Sequence, residues 1–328
     1  MRLVSFFLII YVFLLTILTG CSDDNGDNGS TGPTSEEPEK IEFKKVFDMT
    51  NLPDDLNSIG ISKAVWLDER DYAALSYTDI VKINNNDAES VLSGVTDIAG
   101  TSDGYVYGVG RVPNAISWEA IFYSTDGGNT FDHISKPLMD AGVSLYKGYP
   151  DEIMVRKLND GSYLMILMVG YTSTNVGYTL YEDYYLESQN GIDWEYRDQN
   201  NTSQHFQPSA IDNEGNVFYL KREKNQYFGI DHILYRSDDK GVTVNRVENI
   251  QTTAGSRLPS AVDHSGVLWA YFGSITDDRP HNLSKWNGDK WVDYVAVSNG
   301  ETLKGSISGF TDDNKIVYAS GGHIYVQE

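Results

Sequence analysis

Seven side chains stand in or beside long loops where they could gather around a ligand: Trp118, Arg156, Tyr171, Tyr178, Tyr227, Arg257 and Tyr271. The aromatic ones are interleaved with small polar groups, as in Tyr171-Thr172-Ser173-Thr174-Asn175. Flat rings stack on the apolar faces of sugars and peptides while amides and hydroxyls read their polar groups, so this pattern suits a glycan or a protein surface. Any one of these tyrosines is also an ordinary strand or loop residue. The chemistry lies in the set. Arg156 and Arg257 each read as beginning an inner strand, where they could face a central mouth, as could Glu152.

Other chemistries find little support. The six histidines are scattered, with no His-x-x-His or His-x-x-x-His pair, so no metal site is expected. Asp312-Asp313-Asn314 lacks the twelve-residue spacing of a calcium loop and reads as a turn. No phosphate loop, no Gly-x-Ser-x-Gly elbow and no dinucleotide fingerprint occurs, and no cofactor is expected. A formal charge of −22 makes nucleic acid an unfavourable partner and disfavours direct adhesion to an anionic membrane.

The elements that must position these residues are hairpins. Ser124-Thr125-Asp126-Gly127-Gly128-Asn129-Thr130-Phe131 follows the apolar run Ala120 to Tyr123. In a tight turn the Asp126 carboxylate can accept backbone N–H bonds, Gly128 supplies a backbone angle other residues resist, Thr130 closes the turn and Phe131 begins the return. Ser237-Asp238-Asp239-Lys240-Gly241-Val242-Thr243-Val244 repeats every polar position. Ser188-Gln189-Asn190-Gly191-Ile192-Asp193-Trp194 is one residue shorter with Asn for Asp, and Ser284 to Trp291 keeps only the Asn-Gly turn and an aromatic.

A second repeated feature precedes each hairpin: an apolar run, a turn such as Ser102-Asp103-Gly104 or Asn159-Asp160-Gly161, then another apolar run. Asn213-Glu214-Gly215, His264-Ser265-Gly266 and Asp312-Asp313-Asn314 continue the series at intervals of roughly 50 residues, the signature of a repeat architecture. Each unit reads strand, turn, strand, loop, strand, hairpin turn, strand, which is a four-stranded propeller blade. With a shorter unit at Lys63 to Ile83, an all-β, six-bladed propeller over residues 41–328 is expected, five or seven blades also being compatible. The last unit ends one strand short at Ile324-Tyr325-Val326, and Ile41 to Phe47 has no partner of its own, so this N-terminal strand is expected to close the ring.

Residues 1–20 carry Arg2 and then an apolar run from Leu3 to Leu18, a secretory signal. Leu18-Thr19-Gly20-Cys21 resembles the lipobox of bacterial lipoproteins, which implies acylation of Cys21 and anchoring to the outer membrane. It is the single cysteine of the 328 residues, so no disulfide can form within the chain. Residues 21–40, starting Cys21-Ser22-Asp23-Asp24, lack apolar periodicity and read as a flexible acidic linker. An acidic cluster there resembles the export tag of surface-exposed lipoproteins.

The Ser-x-Asp-x-Gly-x-Thr-aromatic repeats resemble the Asp-box, or BNR repeat, of sialidases and other β-propellers. The resemblance implies structural roles for Ser124, Asp126, Gly128, Thr130, Phe131, Ser188, Asn190, Gly191, Trp194, Ser237, Asp239, Gly241 and Thr243, and no catalytic residue. Sialidases hold the substrate carboxylate with three arginines, the first in a Phe/Tyr-Arg-Ile-Pro motif at the domain start. Here Arg257-Leu258-Pro259 and Arg111-Val112-Pro113 are similar in letters but stand elsewhere, and Gln207-Pro208-Ser209 repeats the Pro-Ser of Arg257-Leu258-Pro259-Ser260 as a blade feature. The expected function is therefore a non-catalytic module, a monomer, binding a glycan or an envelope or extracellular protein. Exo-glycosidase activity of sialidase type is the alternative, and a structural part of an envelope assembly a third.

Overall fold

The computed structural model describes residues 38–54, 56, 60–112, 119–140, 149–172, 179–197, 206–224, 230–252, 257–272 and 282–328. Residues Pro38–Glu328 form one compact unit. Its elements are almost all strands. β1 is Glu39–Phe47. Then come β2 to β5 (Lys63–Asp68, Asp71–Ser76, Asp79–Asn84, Asp87–Ser93) and β6 to β9 (Val95–Gly100, Val106–Arg111, Glu119–Ser124, Asp132–Ile134). β10 to β13 are Tyr149–Lys157, Tyr163–Thr172, Thr179–Ser188 and Trp194–Arg197. β14 to β17 are Gln207–Ile211, Val217–Lys224, Ile230–Ser237 and Asn245–Thr252. β18 to β22 are Arg257–Val262, Leu268–Phe272, Leu283–Trp286, Trp291–Ser298 and Glu301–Thr302, and β23 to β25 are Gly305–Phe310, Ile316–Ser320 and His323–Gln327.

Each of the first four groups is a four-stranded sheet in simple up-and-down order. The remaining strands form a nine-stranded sheet, β18-β19-β20-β21-β1-β25-β24-β23, with β22 on β21. β1 joins its two halves: Glu39 to Glu42 pair parallel with β21, and Phe43 to Phe47 pair antiparallel with β25. The first strands of the successive groups, β2, β6, β10, β14, β18 and β23, line one central cavity. Four-stranded antiparallel sheets arranged by their first strands around a channel make a β-propeller.

The core lies between neighbouring sheets, and strand periodicity explains why. Successive side chains point to opposite faces, and here both faces are covered, so the middle strands read as unbroken apolar runs. Leu164, Met165, Ile166 and Leu167 are all 0% exposed. Their even and odd members enter different clusters: Met165 and Leu167 pack with Tyr107, Val109 and Ile121 of the preceding sheet, while Leu164 and Ile166 pack with Ile211, Val217 and Tyr219 of the next. Tyr72, Val81 and Ile83 near the start of the chain share a cluster with Val317 and Ile324 near its end and with Phe47 of β1.

The turns between first and second strands carry left-handed residues where the sequence places Gly or Asn: Gly104, Gly161, Gly215 and Gly266 have φ between 81° and 87°, and Asn314 has φ 69°. All six first strands also contain a register shift, at positions such as Thr96, Ser209, Ser260 and Ser308. A bulge adds one residue and re-aims those after it. Two features depart from the sequence reading. β5 completes the first sheet although Asp87–Ser93 alternates poorly, and Lys136–Asp140 forms a one-turn helix.

Candidate functional site

The central channel has two chemically distinct ends. The first strands begin at what is here termed the loop end and finish at the turn end. At the loop end Lys63 Nζ lies 2.9 Å from both carboxylate oxygens of Asp97. The same Asp97 accepts the Ile153 N–H at 2.9 Å, which fixes it against β10. Glu152 sits one residue earlier. It faces Met168, which in turn faces Asp183, so the two carboxyl groups lie on one face of the sheet, two strand spacings apart. That is about 10 Å between their Cα atoms.

Burial shapes the proton affinities here. Burial, then the charges of Glu152 and Glu182, push the Asp183 carboxyl up to about 8, so it is protonated at neutral pH. Glu152 is raised as well, by burial first and by Asp97 next, with Lys63 opposing. Burial and the Glu152 charge also raise the half-buried phenol of Tyr271 on β19. Lys63 is therefore the one cation among these groups, and it is already paired.

At the turn end Arg156 does structural work. It stands near the finish of β10 (Tyr149–Lys157), not at the beginning of an inner strand as expected from sequence. Its Nε donates to Asn213 Oδ1 at 2.6 Å and its Nη2 to the Asp263 carbonyl at 3.0 Å, bridging the turns after β14 and β18. Burial lowers the proton affinity of this guanidinium, while Asp212 and Asp263 oppose the shift. A belt of asparagines continues around the ring. Asn213 Nδ2 donates to the His264 carbonyl at 3.0 Å, and the His264 N–H donates to Asn314 Oδ1 at 2.9 Å. On the other side Lys157 and Tyr163 both reach Asp103.

The hairpin turns have matching internal hydrogen bonds. Ser124 Oγ accepts the Gly128 N–H at 2.7 Å and donates to Asp126 at 2.7 Å; Asp126 accepts the N–H of Asn129 at 3.1 Å and of Thr130 at 3.0 Å, and the Thr130 hydroxyl at 2.6 Å. Ser237, Asp239, Gly241 and Thr243 repeat this arrangement. In the shorter copy Asn190 accepts from Ile192 and Asp193, Gly191 donates to Ser188, and the Trp194 indole donates to the Gly191 carbonyl. Phe131 packs half-buried against the cluster between the first two sheets. These groups face their own turns and not the channel.

Of the seven residues proposed from sequence to bind a ligand, Trp118, Tyr178 and Tyr227 lie outside the described residues. For Tyr171 and Arg257 the backbone alone is described: Tyr171 pairs with Leu180, and Arg257 opens β18 opposite Phe272. Tyr271 stands near Glu152, and Arg156 is at the opposite end. Asp97 and Asp183 escaped the sequence reading. The two-residue spacing of a strand puts Asp183 on the same face as the buried Tyr185, and that spacing is the signal that could have found it. No group of three or more metal-ligating side chains occurs among the described residues. Cys21 lies outside them.

No family model and no curated protein sequence matches the chain. Among solved structures it is similar to YCF48 bound to a D1 peptide, at 13% identity and TM-score 0.49, over 89% of this chain and 97% of that one. A thermostable family-43 glycoside hydrolase matches at 14% identity and TM-score 0.40, over 75% and 95%. Trypanosoma rangeli sialidase in complex with the inhibitor DANA matches at 11% identity and TM-score 0.43, over 89% of this chain and 56% of that one. Likenesses of this strength carry no inference about activity.

Proposed function

We propose that this chain is a surface lipoprotein whose propeller is a non-catalytic binding module, presenting its loop end to a glycan or to an envelope or extracellular protein. In this reading Cys21 is the acylated anchor, residues 21–40 are the tether, and β1 closes a ring of six blades by serving as the outer strand beside β25. The observation that carries the reading is the acidic cluster at the channel mouth: Asp97 and Glu152 stand with Lys63, whose ammonium Asp97 already pairs, beside the protonated Asp183 carboxyl. An anionic sugar such as a sialoside needs cations there, and Arg156 is held at the far end. The mouth instead suits a neutral glycan or a basic protein segment. The tether also favours display of the loop end. β1 runs antiparallel to β25, so its first residues stand at the turn end, away from the loops.

The test is binding by the full-length chain to an array of neutral and acidic glycans, alongside turnover of fluorogenic sialosides by the wild type and Arg257→Ala. The expected result is retention on neutral glycans or on a basic protein, with no hydrolysis. Sialoside hydrolysis that is lost in Arg257→Ala would overturn the reading and make the chain an exo-glycosidase.

A further inference from the structure

The wall of the channel formed by β18 and β23 carries hydrogen-bonding groups that the fold itself does not use. In two other first strands the hydroxyl at the bulge is engaged: Thr96 Oγ1 donates to the Val109 carbonyl at 3.0 Å, and Ser209 Oγ to the Phe218 carbonyl at 3.1 Å. Ser260 and Ser308 occupy the corresponding bulges, yet their buried hydroxyls have no partner among the described residues. His264 Nε2 is in the same position. Burial first, and the Arg156 charge next, lower the proton affinity of the ring, and a neutral imidazole carries one donor and one acceptor nitrogen. Three unmet polar groups on one wall are a destabilising arrangement that proteins relieve with water or a ligand.

Space lies beside them. All three residues line the channel, whose cavity is about 180 Å³. A Cβ added to Gly309, next to Ser308, would meet nothing within 4 Å. The hydroxyls are buried in the wall, so engaging a ligand in that space requires a χ1 rotation between staggered wells. The charges at the two ends are already committed, Lys63 to Asp97 and Arg156 to Asn213 and the Asp263 carbonyl. The remaining charged lining residue, Asp312, stands in the turn after β23, and Ala210, Ile211, Ala261, Val262 and Phe310 supply apolar surface between the ends. As a measure of size, an apolar cavity of about 150 Å³ holds one benzene ring.

We propose that the β18–β23 wall of the channel is a binding site for one small neutral polyhydroxyl ring, the size of a single pyranose or cyclitol, held by Ser260, Ser308 and His264. The site lies inside the ring and does not depend on what the loop end binds. The experiment is calorimetry and ligand-detected NMR on the full-length chain with glucose, galactose, mannose and myo-inositol. It is repeated with Gly309→Leu, which fills the space, with Gly309→Ala as a fold control, and with the double variant Ser260→Ala/Ser308→Ala. Saturable binding of at least one ring is expected, lost in Gly309→Leu and weakened roughly tenfold in the double serine variant, as for two modest hydrogen bonds. If Gly309→Leu does not fold, the double serine variant decides alone. Absence of binding by the wild type would mean a channel holding water only and would overturn the proposal, as would undiminished binding in the double serine variant or in a folded Gly309→Leu.

Discussion

Arg156 can be a ligand residue or a strut, and replacing it with methionine separates the two. Methionine keeps much of the volume and removes the buried charge together with its desolvation cost, a change that is often neutral for buried ion pairs. Here, however, the acceptors stay behind. Asn213 Oδ1 loses its 2.6 Å donor, and an acceptor left unmet in a part-buried site costs about 1–3 kcal/mol; the Asp263 carbonyl loses a 3.0 Å donor but keeps the Gly266 N–H at 3.1 Å. Asp212 and Asp263 also lose a favourable charge. Relief of desolvation offsets part of this, so a net loss of about 1–3 kcal/mol is expected. In a domain of this size each kcal/mol lowers Tm by roughly 2 °C, so thermal unfolding followed by circular dichroism should show a drop of roughly 2–6 °C. Binding at the loop end should be unchanged below the transition. An unaltered Tm combined with lost binding would refute the reasoning and return Arg156 to the ligand site.

Gly100 lies where β6 passes β2, and a Cβ there would stand 2.2 Å from Val65 Cγ1. Gly100→Ala should destabilise by about 1–3 kcal/mol through overpacking, and Val65→Ala in the same chain should recover part of the loss in urea unfolding; an additive double variant would contradict the contact. His323 supplies a pH dependence, because its Nδ1 accepts the Met49 N–H at 3.0 Å and so must be unprotonated. Burial first, and Lys45 next, lower its proton affinity below the usual 6.5, with Asp48 opposing. The unfolded chain therefore binds this proton more readily. The contribution is fully present above pH 6.5 and is lost as pH falls through the lower folded value. His323→Asn, which accepts without titrating, should flatten the decline in Tm between pH 7.5 and 5; parallel curves for the two proteins would dismiss His323 as its source.

Local chemistry made the repeat legible. Turn glycines at 104, 161, 215 and 266 need left-handed backbone, and asparagine serves at 314, so the sequence displays its turns wherever the chain must reverse. The alternation that assigns faces is hidden when both faces are buried, and for that reason Leu164 to Leu167 reads only as an apolar run. Asp87–Ser93 was missed for the opposite reason, being an outer strand with little to bury. The bulges at Thr96, Ser209, Ser260 and Ser308 leave no mark in composition, yet they decide which residue of each first strand faces the channel. Arg156 and the asparagine belt follow from distances across the ring between residues 50 or more apart in sequence, and no local pattern encodes those.

The divided pairing of β1 has a mechanical consequence. Its first half is zipped to β21 and its second to β25, and the Glu328 N–H donates to the Glu42 carbonyl at 3.0 Å where the two halves meet. In the proposed anchored state, any drag on the propeller is transmitted through residue 38 along the axis of this strand. Such a pull shears the hydrogen bonds to both neighbours together instead of peeling them one at a time. The strand that completes the last sheet would then also moor the molecule, held by Glu328 where its two halves meet.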